Sequence, residues 1–367
     1  MSTQETIKPV LYKISAAQYY QSEGAIQALP DAVRNYGDEV YIISGITAWQ
    51  AAGEKIDAVL KAAGIPYQLK FYTGQSCETV AQQLAADVPA HFPVIAAVGG
   101  GRLLDFAKMA AHYAGKRIIT IPTASSTCAA VTPLSVRYTE DGANIPHSLK
   151  YDRPVDVCIA DLDLIITETP RLFISGILDS MAKMPEILYY VDDPAEGGTG
   201  IDFAYDLSKR MFERGPGLIR SCMKDLKTRT VSADFDRAVY YSIMGAGAVS
   251  GFVRGSKQCA LAHRFYESTR TLFYREAFGF LHGEIVAVGL YLQYAFNGDT
   301  KSAAEMTEIL KEWGMPCCLS DLHIPATAET KEKYMNKFAE HGILKESADA
   351  YEKTSAAFDE LLKRGIE

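Results

Sequence analysis

Over its first 165 residues the chain alternates short, apolar, β-branched runs with stretches whose apolar residues recur at spacings of three and four. Strands that alternate with helical segments of 10–15 residues are the pattern of βαβ units, so the rhythm predicts a parallel sheet flanked by helices. VYIISG (40–45), QLKFY (68–72), VIAAVGG (94–100) and IITIPT (118–123) read as strands. AIQALPDAVRNYG, TAWQAAGEKIDAVLKAAG, SCETVAQQLAADV and RLLDFAKMAAHYAG read as helices. A sheet of this kind places ligands at the carboxyl ends of its strands.

LSVRYTEDGANIPHSLKY then reads as a hairpin turning at Asp141-Gly142, and VDVCIADLDLI as a last strand. From about Thr169 strand signals fade. RLFISGILDSMAKM, FAYDLSKRMFERG, FDRAVYYSIMGAGAVSGFV, GEIVAVGLYLQYAF, SAAEMTEILKEWG and YEKTSAAFDELLKRG all carry helical periodicity. A length of 367 residues suits two or three domains. The expected division is an α/β part at 1–165 and an all-α part at 166–367, with the cleft between them as the default place for a site.

With 48% hydrophobic and 22% charged residues, the chain holds enough apolar side chain for a real core. Against 37 Lys and Arg stand 45 Asp and Glu, and no basic run appears, which argues against nucleic acid as a partner. No stretch of about 20 apolar residues occurs, and the opening MSTQETIKPV is polar, so no membrane association and a cytoplasmic location are expected. Seven cysteines, odd in number and scattered, read as reduced thiols. For the adjacent Cys317 and Cys318 a redox device is the alternative.

Gly99-Gly100-Gly101 follows a strand and opens a helix, which sets unobstructed backbone N–H groups and a helix dipole where a pyrophosphate can sit. A tight turn is the plainer reading. No GxGxxG follows any predicted strand. The segment 121–138 is dense in hydroxyls, among them Thr123, Ser126 and Thr132, suited to phosphate or a nicotinamide amide, or else to satisfying their own backbone.

His263 and His282 lie in apolar or small surroundings in the helical half. Each alone reads as a hydrogen-bonded core histidine. Together, from neighbouring helices, they can share an ion. Asp179, on the apolar stripe of SGILDSMAK, is the carboxylate that would complete a two-His, one-carboxylate site with an open position.

In order and spacing GGGRLLDFAK, PTASSTCAAVTPLSV, GILDSMAK, LAHRF and FLHGEIVAVG resemble the glycerol dehydrogenase branch of the iron-containing (group III) alcohol dehydrogenases, over about residues 8 to 300. TCAAVTPLSV looks more like the hydroxycarboxylate dehydrogenase A subgroup, which reduces 2-oxo acids with NADPH. The resemblance implies the dehydroquinate synthase-like architecture of that family, with a Rossmann-like dinucleotide-binding domain at 1–165, an all-α metal- and substrate-binding domain at 166–367 and one divalent metal in the cleft. Residue by residue it makes Gly100, Gly101 and Asp105 contacts of the pyrophosphate loop. Thr123, Ser126, Thr132, Leu134 and Tyr138 become the nicotinamide-side pocket, and Asp179, His263 and His282 the metal ligands and catalytic centre.

Three departures bear on specificity. Cys128 stands where glycerol dehydrogenases hold their substrate with an aspartate, and a thiol there does not repel a substrate carboxylate. SGIT (44–47) has no acid to bond a ribose, so NADP(H) is permitted, yet no Arg or Lys to hold a 2′-phosphate. Lys183-Met184-Pro185-Glu186 replaces a lysine-tryptophan-aromatic-glutamate run, and the proline is expected to bend its helix.

The function expected is hydride transfer between NADP(H) or NAD(H) and a small carbonyl or alcohol, a 2-oxo acid and its 2-hydroxy acid, on Zn²⁺ in preference to Fe²⁺. Cys128 is the substrate-side residue. Arg264 and Lys183 are possible carboxylate partners, with solvated or ion-paired surface charge as the plainer reading. A glycerol dehydrogenase using NAD, a dehydroquinate-synthase-like enzyme and a nucleotide binder without catalysis are the rivals. Apolar helices lead us to expect a homo-oligomer, a dimer or larger.

Overall fold

The structure, a computed structural model, describes residues 11–364 apart from 255, 256 and 258. The polar opening decade used above lies outside the described residues. Six strands form one parallel sheet: β1 (Gln18–Ser22), β2 (Val40–Ser44), β3 (Tyr67–Phe71), β4 (Val94–Gly99), β5 (Arg117–Pro122) and β8 (Val157–Asp161), in the spatial order β1-β8-β5-β4-β2-β3. An antiparallel hairpin, β6 (Leu134–Tyr138) with β7 (Asn144–Lys150), turns at Asp141-Gly142 as expected, with Gly142 at a φ of 97° that an L residue rarely adopts.

Period-two alternation sorts the strands' side chains onto two faces. Val40, Ile42, Val94, Ala96, Val98, Ile119, Val157 and Ile159 pack under the helices of one face. Tyr41, Ile43, Ile95, Ala97, Ile118, Cys158 and Ala160 belong to a larger cluster that runs without a break into the helices of the C-terminal part. Both faces are covered, which is why the central strands read as continuous apolar runs. β1, QYYQS, was not legible as a strand. It is an edge strand with no fully buried residue, so no apolar run marks it.

Beyond β8 every element of the described residues is helical. The spine is the helix Pro170–Tyr190, capped by the Thr169 side chain and packed on Thr199–Thr228 and His282–Asn297. Pro185 does not end it: the helix continues five residues further, and the Pro185 carbonyl accepts from Asn297 Nδ2 at 3.0 Å. Two long helices were missed, Leu261–Leu272 and Ala328–Glu340, and the last strand ends at Asp161, whose side chain caps a short helix, Leu162–Ile165, where strand was expected. The first mixes His, Arg, Glu, Ser and Thr into a short segment whose polar groups are satisfied only in the fold, as when Thr269 Oγ1 bonds Phe265 O and Tyr334 OH, each at 2.7 Å. No described helix is long and apolar enough to cross a membrane.

Candidate metal centre and nucleotide cleft

Three elements bring the expected ligands together. Asp179 sits mid-way along Pro170–Tyr190, His263 in the first turn of Leu261–Leu272, and His282 at the start of His282–Asn297. The last helix reaches its place by a backbone contact: a Cβ on Gly283 would lie 1.9 Å from the Ser175 carbonyl oxygen, so only glycine permits the approach. Its amide donates to Ser175 Oγ at 3.0 Å. Arg171 secures the same end, bonding both Glu284 oxygens at 2.5 and 2.6 Å while Glu284 accepts the Leu281 N–H at 2.7 Å.

Asp179 Oδ1 lies 3.1 Å from His263 Nε2 and 3.4 Å from His282 Nε2. Both separations are close to the roughly 3.3 Å between neighbouring donors around a zinc with bonds of about 2.0 Å, and the three donor atoms all lie within 4.8 Å of one another. Two imidazoles and a carboxylate suit Zn²⁺ or Fe²⁺, so the donor set fits a divalent ion. Behind it, His263 Nδ1 donates to Glu186 Oε2 at 2.5 Å, and Glu186 Oε1 takes the N–H groups of Ala260 and His263, both at 2.8 Å. That bond leaves the Nε2 lone pair directed at the site.

Lys183, one turn past Asp179, is buried, not solvated. Its ammonium lies 3.3 Å from Asp179 Oδ1 and 2.9 Å from His263 Nε2. Burial raises the Asp179 carboxyl, but Lys183 and the two histidines more than reverse this and hold it well below the usual carboxylate range. Burial lowers His282. His263 loses to burial and gains more from Glu186 and Asp179, so its value rises. Arg264 pairs with Glu267 at 2.5 Å and turns to a different partner from the ligands.

The chain goes outward from β2 to the edge strand β3 and returns on the other side of β2 to β4, which makes the β2/β4 border the switch point of the sheet. The carboxyl ends there are Ser44-Gly45 and Gly99-Gly100-Gly101, joined by Gly45 N to Val98 O at 3.4 Å. Gly101 opens the helix Gly101–Tyr113, and a Cβ built on Gly100 meets no atom within 4 Å. This open backbone at a helix start, in a switch-point crevice, fits a pyrophosphate.

Of the other expected nucleotide contacts, Thr123 and Leu134 are half-buried, and Asp105, Ser126, Thr132 and Tyr138 are buried. Asp105 pairs with Lys108 at 2.9 Å and accepts the Val136 N–H at 3.1 Å. Lys108 in turn donates to the carbonyls of Ala129 at 2.7 Å, Thr132 at 3.1 Å and Leu134, so the pair laces the hydroxyl-rich loop to its neighbouring helix. Tyr138 OH bonds Tyr266 OH, and the Tyr266 ring stands edge-on to His282 at 4.1 Å. Cys128 is half-buried. Burial pushes its thiol to about 11, and the charges acting on it are those of Lys183 and Asp179, then Lys108 and Asp105.

The same loop is fastened from below by Glu168, whose carboxyl receives Ser125 N–H at 3.0 Å and Ser125 Oγ–H at 2.6 Å. A Cβ on Gly176 would stand 2.0 Å from the Ser125 carbonyl oxygen, so loop and spine helix touch backbone to backbone. Among the residues that support the site, Glu186, Arg171, Glu284, Glu168 and Tyr266 carried no role in the sequence reading. For Glu186 a signal was present: 179, 183 and 186 share one helix face at spacings of four and three. The other four depend on contacts between distant segments.

A second cluster, Cys317, Cys318 and Asp321, lies elsewhere. There the Asp321 carboxylate accepts the Cys317 amide at 2.9 Å and thiol at 3.3 Å, which is turn capping, and all seven cysteines are free.

Residues 16–161 match the profile of the family described as iron-containing alcohol dehydrogenase. Hydroxycarboxylate dehydrogenase A of Escherichia coli K12 is 27% identical over 320 residues, 86% of each chain. A glycerol dehydrogenase of Thermotoga maritima is 24% identical over 321 residues, again 86% of each. The crystal structure of a probable glycerol dehydrogenase from Sinorhizobium meliloti 1021 shares the fold, with a TM-score of 0.77 at 20% identity over 96% of this chain and 99% of that one. The protein is therefore an oxidoreductase. Its residues 16–161 carry the domain of the iron-containing alcohol dehydrogenases, a family whose members bind NAD(P) and a divalent metal.

Proposed function

We propose that this oxidoreductase transfers hydride reversibly between NAD(P)H and the carbonyl carbon of a small 2-oxo acid, giving the 2-hydroxy acid. The observation that carries the reading is the convergence of Asp179, His263 and His282 at ligand spacing beside a neutral Cys128. A divalent ion held by those three residues would supply Lewis-acid polarisation of the substrate carbonyl. Glu186 holds His263 in the tautomer that presents Nε2, and Arg171 with Glu284 fixes the helix start that presents His282. Gly100 leaves room for the dinucleotide's pyrophosphate at the mouth of the switch-point crevice, while Gly101, where a Cβ would stand 2.7 Å from Thr127 Oγ1, lets the hydroxyl-rich loop approach the helix start.

The substrate class rests on charge. An aspartate at position 128 would repel a carboxylate, whereas the Cys128 thiol stays neutral at pH 7. The E. coli relative's name, hydroxycarboxylate dehydrogenase A, supports the same class. Zn²⁺ is the first choice and Fe²⁺ the second. For the nucleotide, NADP(H) is admitted because Ser44 through Thr47 carry no acid against a 2′-phosphate.

The test follows NADPH and NADH consumption over a panel of 2-oxo acids, before and after chelation and with zinc or iron restored, with glycerol oxidation as the contrast. Metal-dependent turnover of an oxo acid is the expected result. Glycerol oxidation without oxo-acid reduction would replace this reading by the polyol one. Tight nucleotide binding without any turnover, metal present, would leave a non-catalytic binder.

A further inference from the structure

We propose that Lys183 is the specificity-determining cation of this site, the group that holds the substrate's carboxylate. This rests on the oxo-acid reading above and gives that reading its missing positive partner.

Lys183 offers three N–H donors and, among the described residues, has two neighbours within reach, Asp179 Oδ1 at 3.3 Å and His263 Nε2 at 2.9 Å. Both are atoms that a metal would claim. Once His263 Nε2 gives its lone pair to an ion, it can no longer accept from the ammonium, and Asp179 Oδ1 is shared at best. A buried ammonium left without acceptors is strongly destabilising, so the loaded site calls for a new one. Lys183 has 4% of its side chain exposed, so it is not solvated as a surface lysine is, and its acceptor has to come from the cleft.

The net charge points to what the acceptor is. Asp179 and Glu186 contribute two negative charges and Lys183 one positive, while Asp105 and Lys108 cancel as a pair. The thiols of Cys128 and Cys259, which also act on Lys183, are neutral. Adding a divalent cation, with both histidines neutral, leaves one positive charge. A monoanion neutralises it, and a polyol does not. Lys108 is no rival for the role, because its ammonium is already held by three loop carbonyls and Asp105. Arg264 is engaged by Glu267.

The experiment uses full-length protein loaded with zinc, its metal content measured in every variant. Oxamate, an oxo-acid isostere that accepts no hydride, is titrated calorimetrically in the presence of reduced nucleotide. KM is compared for pyruvate or glyoxylate and for an uncharged carbonyl such as methylglyoxal. Lys183→Met is expected to weaken oxamate binding and raise the oxo-acid KM by about 30-fold or more, with the KM for the uncharged carbonyl moved less than about threefold, since one partner of a buried charge pair has been removed. Lys183→Arg, which keeps the charge, is expected to retain most of the oxamate affinity, and it carries the test should the Met variant not fold. The proposal is overturned if wild-type protein binds oxamate and Lys183→Met binds it equally well, or if both KM values rise together. Wild-type protein that binds no oxamate and reduces only uncharged carbonyls would instead remove the oxo-acid reading itself.

Discussion

Glu186 and His263 are bonded twice over: the imidazole Nδ1 donates to Oε2 at 2.5 Å, and the backbone amide of the same histidine donates to Oε1 at 2.8 Å. Ring orientation and helix start are thus set by one fully buried carboxylate. Glu186→Gln keeps the size but lacks the charge that makes the imidazole a strong ligand. Its zinc affinity, read by competition with a chromophoric chelator, is expected to fall about 10- to 100-fold while the fold survives. Unchanged affinity would show that the pair serves packing alone.

Gly100 separates a nucleotide role from a folding role. Its φ of −85° and ψ of 178° are open to any L residue, and an added Cβ meets nothing in the protein. Gly100→Ala is therefore expected to leave the denaturant midpoint nearly unchanged, by about 0.5 kcal/mol or less. The methyl group stands where a pyrophosphate would approach, so nucleotide Kd is expected to rise about tenfold, the cost of an overpacked contact. Loss of stability without loss of nucleotide would place the phosphates elsewhere.

Gly283 is the opposite case, since its Cβ would collide with the Ser175 carbonyl oxygen. Gly283→Ala is expected to destabilise the protein by about 1–3 kcal/mol through overpacking. Because His282 is the preceding residue, metal content should drop in the same variant. Urea unfolding and metal analysis on one preparation check both, and a variant that keeps its metal while losing stability would uncouple the helix contact from the centre.

Glu168 predicts a pH dependence. Burial pushes its carboxyl up to about 8, only partly offset by the two Ser125 donors and by Arg229. The folded value lies above the ordinary 4.5, so the protonated form favours the fold. That contribution is complete below about pH 4.5 and is lost as pH rises through about 8. Glu168→Gln, neutral throughout, is expected to flatten the fall. Relative to wild type it should gain on the order of 4 kcal/mol between about pH 5 and pH 9, each tenfold change in a protonation equilibrium being worth about 1.4 kcal/mol. Parallel urea midpoints for the two proteins across that range would mean that Glu168 is ionised in the fold.

Much of this molecule could be read along the chain. Five of the six sheet strands, the hairpin at Asp141-Gly142 and most helices follow from period and turn chemistry, because those signals are local and the central strands are buried on both faces. Asp179, His263 and His282 were also legible, by residue type in apolar surroundings and by their place in a recognisable set of motifs. β1 was not, since an edge strand tolerates QYYQS. Lys183 stood open between a carboxylate partner and a solvated or ion-paired surface charge, and Pro185 was expected to bend its helix. Whether a lysine is buried depends on what packs over it, and the carbonyl of Pro185 is satisfied by Asn297, 112 positions away.

The layers, the order of the elements and the chemical types available to the site are thus written along the chain, because periodicity and donor identity are properties of short segments. Only the tertiary structure decided which charges face one another. Glu186 behind His263, Arg171 on Glu284 and Lys183 against His263 are pairings between helices, set by packing distances of a few ångströms that no spacing along the chain encodes.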